Sequence, residues 1–235
     1  MRQMAVAEKK PSRKELLKEP DQFITFSGKM IAFGQRHRRS LTYAAAALAC
    51  LLVVFTAARY WLARSENTAF ALLDQYTAQY RAERSAAENS PEKAWAAVRE
   101  GFETLIADYG NRVGGKLARI RYADICYQAG RIDEAIGLYE RVLEDFDDAP
   151  FYRALILNSL GDVYADKQDW QKAAGYLNQV VAMPEAPLRD KALFALSGIY
   201  DAQGRRDEAA AAYRKLVDEF GDSIYAGVAR ERAQG

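Results

Sequence analysis

Two stretches of the 235-residue chain, FETLIADYGNRVGGKLARIRYA at 102–123 and YRKLVDEFGDSIYAGVARERA at 213–233, are versions of one segment. They lie 111 residues apart, three times 37, and share Leu105/Leu216, Gly110/Gly221, Ala118/Ala229, Arg119/Arg230 and Arg121/Arg232. Phe102/Tyr213 and Tyr109/Phe220 keep an aromatic ring at equivalent places. Self-similarity at this period restricts the fold severely, because one such unit cannot bury its own apolar face and must stack on its neighbours. Two further units fit between, registered on a small residue: Ala135, Ala173 and Ala209 are spaced by 38 and 36. A degenerate earlier copy places Val98 in AWAAVREGFETLIADY. Each unit reads as two helices joined by a short turn. Gly130 and Gly204 sit where the first helix stops, where a left-handed cap favours glycine; Gln168 replaces that glycine in the middle unit, at a cost to the turn.

In NSLGDVYADKQDWQKAAGYL, the residues Leu160, Gly161, Tyr164, Trp170 and Ala173 stand on the signature positions of the tetratricopeptide repeat, a 34-residue helix-turn-helix that this chain resembles over about 85–235. Leu196, Ser197, Tyr200, Gly204, Ala209 and Tyr213 repeat the pattern, as do Ala123, Gly130, Ala135 and Tyr139, with Cys126 where an aromatic is usual. The spacings of 36–38 exceed 34, which predicts enlarged turns around Pro150 and Pro184–Pro187. Ser90-Pro91-Glu92 reads as a fresh helix start, with serine at the cap and proline in the first turn. Residues 223–233 are expected to form the helix that closes the stack.

Ahead of the repeats, Ser40 to Ala58 is 19 residues without a formal charge. A helix of about 20 residues spans a hydrocarbon core of about 30 Å. The run shows no polar face, which argues against the core helix of a soluble domain. It is longer than the apolar part of a signal peptide, begins 39 residues in, and passes into Arg59-Tyr60-Trp61 instead of a cleavable end. ALAC, ending at Cys50, faintly resembles a lipoprotein cleavage box, but the Leu-Leu-Val-Val-Phe that follows would remain as an apolar stump. The reading is a retained transmembrane helix at 40–62, with Tyr60 and Trp61 as interfacial anchors. Lys29, Arg36, Arg38 and Arg39 precede it, and Arg59 and Arg64 follow. The positive-inside bias then puts residues 1–39 in the cytoplasm and 63–235 outside it. For a bacterium with two membranes this means an inner-membrane protein with a periplasmic body.

Net charge agrees: +6 over 1–39 and −6 over 63–235 describe a tethered protein and not a nucleic-acid binder. Residues 1–20, with five Lys/Arg between Lys9 and Lys18, are expected to be disordered. Phe23, Phe26, Met30 and Phe33 recur at helical spacing, as in a short amphipathic helix at the membrane surface or a weakly ordered leader. The fold class is therefore all-α: one N-terminal transmembrane helix and a tetratricopeptide-repeat solenoid.

Chemistry-bearing motifs are few. Cys50 and Cys126 make no disulfide framework, and the lone His37 among arginines removes His-based triads and His-ligated metals. GNRVGGK at 110–116 imitates a phosphate loop, but Leu117 replaces the Ser/Thr and the repeat copy has Tyr225, Ala226 and Gly227 opposite Gly114, Gly115 and Lys116. A flexible turn is the simpler reading. EDFDDAP lacks the ligand spacing of a calcium loop and reads as a solvated helix end. With no G-x-S-x-G, Cys/His pair or paired-carboxylate cleft, neither an enzyme nor a cofactor is expected.

The repeat resemblance implies a concave groove that binds peptides with the first helix of each pair. Counted along the motif, the groove-facing residues are Ile120, Asp124, Tyr127, Gln128, Asn158, Asp162, Asp166, Phe194 and Asp201, a set suited to a peptide with basic and apolar groups. The basic tail, DQFITFSGKMIAFGQRHRR, the span and RYW at 59–61 together resemble the YfgM family. That resemblance implies an ancillary Sec-translocon subunit with a periplasmic chaperone role, beside a membrane-anchored peptidyl-prolyl isomerase. A structural adaptor in envelope assembly or division, recruiting one folded partner, is the alternative.

Overall fold

The computed structural model describes residues 22–86, 90–184 and 186–233. The expectation for residues 1–20 lies outside the described residues, as do the side chains of Phe23 and Phe26. The chain divides into two units, Met1–Trp61 and Leu62–Gly235.

The first unit holds α1 (Gln22–Arg36) and the opening turns of α2 (Arg38–Ser85). Met30, Ile31 and Phe33 are exposed on α1. The helix α2 is long and apolar enough to cross a membrane, and none of its apolar window is buried inside the protein. Leu48, Leu51, Leu52, Val53, Val54 and Phe55 are all exposed, which a core helix would not allow. Its threonine hydroxyls turn inward: Thr42 Oγ1 donates to the Arg39 carbonyl at 2.8 Å and Thr56 Oγ1 to the Leu52 carbonyl at 2.9 Å, about one turn back.

The second unit takes up the rest of α2 and continues through α3 (Pro91–Tyr109), α4 (Val113–Gln128) and α5 (Ile132–Leu143). After a 3₁₀ turn at Glu144–Phe146 come α6 (Pro150–Asp166), α7 (Trp170–Val181), α8 (Arg189–Ala202), α9 (Arg206–Glu219) and α10 (Ala226–Arg232). No strand occurs among the described residues. Pairs α4/α5, α6/α7 and α8/α9 are the three repeats, and α10 closes the stack. Its Ala226 and Ala229 cover Leu193, Ala209, Tyr213 and Leu216. Ala135, Ala173 and Ala209, on which the units were registered, are 0%, 0% and 1% exposed, as is expected where paired helices meet most closely. Val98 of the degenerate copy is buried too.

Local signals set the boundaries. Ser90 accepts from the Lys93 amide at 3.4 Å at the head of α3, with Pro91 in the first turn. Asp169 does the same for the Lys172 amide at the head of α7. Each first helix ends in one left-handed residue: Gly130 (φ 75°), Gln168 (φ 59°) and Gly204 (φ 71°). The three turns are closed alike, with the Arg131, Asp169 and Arg205 amides donating to Cys126, Tyr164 and Tyr200 at 2.8, 2.9 and 2.9 Å.

The start of α4 is capped from another helix. Glu66 of α2 accepts from the Val113 and Gly114 amides at 3.2 and 2.7 Å, and Arg112 Nε donates to Ser65 at 3.2 Å. Farther along, Tyr80 donates to Gln128 at 3.0 Å. The near-constant offset means that α2 and α4 run parallel, with α3 passing back between: Tyr76 of α2 meets Phe102 of α3 at 5.8 Å, and Phe102 stacks on Tyr122 of α4 at 5.4 Å.

The glycine pair of GNRVGGK is thereby reinterpreted. Gly114 and Gly115 are buried in the first turn of α4, not in a flexible turn. A Cβ on Gly114 would lie 2.8 Å from that of Ala69, and one on Gly115 would lie 1.9 Å from the Tyr109 carbonyl oxygen. Lys116 pairs with Asp145 at 3.2 Å, and Arg119 with the same carboxylate at 2.7 Å. The acidic EDFDDAP segment thus serves in part to tie α4 to the end of α5.

Candidate functional site: a cleft across three first helices

The first helices α4, α6 and α8 each present one face to a shared cleft of about 490 Å³. It is lined by Tyr127, Asp162, Ala165, Asp166, Trp170, Ala195, Gly198, Ile199 and Ala202. The floor on α8 is made of residues spaced three and four apart, which share one side of a helix. Their smallness keeps the space open. A Cβ on Gly198 would meet no atom within 4 Å. Trp170 and Ile199 supply apolar wall, and Asp162 and Asp166 line α6.

Of the nine residues expected from the motif, three come together here: Tyr127, Asp162 and Asp166. Ile120 is only 5% exposed and Asn158 is fully buried, so both pack within the stack. Asn158 Nδ2 donates back to the Ala154 carbonyl at 2.9 Å. Phe194 is half-buried between α9 and α10, stacked on Tyr225 at 4.8 Å and edge-on to Tyr213 at 6.1 Å. Asp124, Gln128 and Asp201 lie outside the cleft lining.

The polar members have partners within the chain. Tyr127 donates to Asp166 at 2.5 Å across the α4–α6 boundary, and Lys191 of α8 reaches Asp162 at 2.7 Å. Tyr139 donates to Asp124, and Tyr213 to Asp201 at 3.2 Å with Arg232 3.9 Å away. Tyr122 and Tyr164 likewise bond Glu134 and Glu140, at 3.1 and 3.0 Å. A repeated rung results, tyrosine from one helix to acid on another. Burial, together with the adjacent Asp166 carboxylate, holds the Tyr127 phenol well above its ordinary range. Burial also raises the Asp124 carboxyl, against the opposing pull of the Tyr139 hydroxyl, Arg121 and Lys191. The same burial pushes the Cys126 thiol up to about 12, leaving it inert at neutral pH.

Chemically, the cleft offers an apolar floor, one indole wall and carboxylates already held by hydrogen bonds. Such a surface can grip an extended chain by its apolar side chains and backbone. Motif counting missed Trp170, Ile199 and the small residues of α8. A signal was present in Ala195, Gly198 and Ala202, whose spacing and size mark an unfilled helix face.

Two tetratricopeptide-repeat family profiles match this chain, one over residues 117–186 and the other over 158–224. Residues 117–224 are tetratricopeptide repeats. Among solved structures, the repeats resemble a Podosopora anserina kinesin-light-chain-type protein of nearly identical TPR-like repeats. The TM-score is 0.50 and the identity 18%, over 66% of this chain and 75% of that one. A tetratricopeptide repeat protein from Parabacteroides merdae superposes with a TM-score of 0.53 at 12% identity, over 70% of this chain and 59% of that one. These likenesses concern the fold. In sequence, the chain is 28% identical over 134 residues to the Photosystem I assembly protein Ycf3 of Rippkaea orientalis, covering 52% of this chain and 76% of that one. Tetratricopeptide repeats are protein-interaction modules, and that is the coarse function of this segment.

Proposed function

We propose that this chain is a membrane-anchored, non-catalytic binding protein that holds extended segments of other proteins in the cleft between α4, α6 and α8. The observation that carries this reading is the open floor at Ala195, Gly198 and Ala202 beneath Trp170 and Ile199. A segment lying there buries apolar side chains at roughly 25 cal/mol per Å². The anchor is the apolar stretch of α2. The charge bias of Lys29, Arg36, Arg38 and Arg39 over Arg59 and Arg64 supports a cytoplasmic N-terminus and repeats on the far side of a bacterial inner membrane.

Within that frame, the resemblance to the YfgM family supports work at the exit of the Sec translocon, beside a membrane-anchored peptidyl-prolyl isomerase. Tethering raises the effective concentration of the cleft near emerging chains, so weak contacts suffice without ATP. A second reading, an adaptor in the assembly of one complex, draws on the relative that bears the name of an assembly protein. Photo-crosslinking in living cells separates them, with the probe placed at Ala202 in the cleft and, separately, at Tyr60. The holding role gives many newly exported chains at Ala202 and translocon components at Tyr60. One discrete folded partner at Ala202, and no translocon at Tyr60, would establish the adaptor. Cytosolic captures at Ala202 would overturn the orientation.

A further inference from the structure

The helix α1 carries an apolar side that the described residues leave uncovered. Met30, Ile31 and Phe33 are 59%, 63% and 57% exposed. Met30 and Phe33, three apart, share one side of the helix, and Ile31 widens it. The Phe33 ring lies 4.7 Å from that of His37, so this side continues past the last turn. Lys29 and Arg36, seven apart, run along its border beside Phe33, while Gly28 and Gln35 face away from it. The result is an amphipathic helix of 15 residues, about 22 Å long.

Position and sign together select what covers it. His37 alone separates α1 from α2, whose uncharged run starts at Ser40, so the end of α1 stands where that run would enter a bilayer. Every formal charge from Gln22 to Ala58 is basic: Lys29, Arg36, Arg38 and Arg39. All four are exposed, and none has an ion pair among the described residues. Counting the residues ahead of α1 does not reverse the sign, since 1–39 holds ten bases against four acids. An acidic protein matches the charge alone. A bilayer at the end of α1 offers phosphates to the bases and hydrocarbon to the apolar side, at the depth of about 5–10 Å that such helices reach. We propose that α1 lies in the plane of an anionic phospholipid surface. Met30, Ile31 and Phe33 enter the acyl boundary, and the four bases reach the phosphates with their stems along the apolar side. The chain thereby distinguishes anionic from zwitterionic membranes. The proposal rests on α2 being the span, but on neither its orientation nor the use of the cleft.

The test uses the full chain with Cys50→Ala, reconstituted in vesicles, and a nitroxide on Ile31→Cys or, separately, on Val53→Cys. Cys126 is buried and takes no label. Collision with oxygen and with a water-soluble nickel chelate gives the depth of each label. The Val53 label should lie in hydrocarbon in every vesicle. In equal parts of phosphatidylglycerol and phosphatidylcholine the Ile31 label should be shielded from the chelate, and in phosphatidylcholine alone it should be largely in water. Lys29→Gln combined with Arg36→Gln should lower the ratio of surface-held to water-exposed label about 25-fold, roughly fivefold for each base. Added salt should lower it too. Met30→Ser combined with Phe33→Ser should lower it at least about tenfold. These four side chains are exposed, so the depth at Val53 should not change. An Ile31 label open to the chelate in both vesicles, with Val53 in hydrocarbon, would overturn the proposal and leave the helix face to a protein. Equal shielding in both would overturn the choice of an anionic surface. A Val53 label in water would overturn the span itself, and the proposal with it.

Discussion

A Cβ on Gly115 would stand 1.9 Å from the Tyr109 carbonyl oxygen, whereas one on Gly198 would touch nothing within 4 Å. The two glycines have opposite tasks, one permitting close approach and the other leaving a surface empty. Gly115→Ala is predicted to destabilise the fold by about 3 kcal/mol, the upper part of the usual overpacking range, measured as a shift in the urea midpoint. Neither task is written in the residue itself. GNRVGGK was recognisable as a failed phosphate loop, but the need for its glycines arises from Ala69 and Tyr109, which only the folded chain brings near. The acids show the same limit. Counting along the motif found Asp124, Asp162 and Asp166 on their helices, yet the tyrosine or lysine bonded to each comes from a different helix. Asp124 also makes a pH prediction. Its carboxyl is raised by burial, so the folded state binds that proton more tightly than the unfolded chain. The associated stability is complete below the unfolded value, about 3.9, and is lost as pH rises through the folded one. Relative to Asp124→Asn, the wild type should therefore lose stability across that acid window, as denaturant titrations at a series of pH values would show.

At the scale of elements, most of the structure was legible. Repeat register, the Ser90-Pro91 start, the proline-bearing turns and the closing helix all follow from local chemistry: a capping oxygen, a missing amide, a small residue at a crossing. Gln168 shows how far local chemistry can be overruled. It adopts φ 59° where its counterparts are glycines, and the turn it makes has the same hydrogen bonds. The two helices that it joins impose the conformation, at a cost of roughly 1–2 kcal/mol for a residue with a Cβ. Gln168→Gly should recover about 1 kcal/mol of it, since the glycine also loses more chain entropy on folding. A rise in the thermal midpoint checks this, and a fall would mean that the glutamine side chain stabilises the turn. What remained illegible at this scale was the cap on α4, because Glu66 lies far from Val113 in sequence and marks no motif of its own.

For the molecule as a whole, the rungs form one system. Tyr80, Tyr122, Tyr127, Tyr139, Tyr164, Tyr176 and Tyr213 all have phenols raised above their ordinary value, in each case chiefly by burial. Groups of this sign stabilise the fold below their unfolded value, about 10, and that stability is lost as pH rises above it. Unfolding free energy should stay nearly flat from neutral pH to about 9 and then fall steeply with several protons linked, as measured by denaturant titration across the alkaline range. A slope of a single proton would show that only one of these phenols is linked to folding. The stack that these rungs stiffen holds the cleft open between its first helices, and the account rests on that opening being used. The most direct test compares the affinity of the full chain for a permanently unfolded polypeptide before and after Gly198→Leu. Leucine fills the cleft floor while raising helix propensity by somewhat under 1 kcal/mol. Affinity should fall at least about tenfold while the thermal midpoint holds or rises. Unchanged affinity in a stable Gly198→Leu protein would contradict the cleft as the binding site.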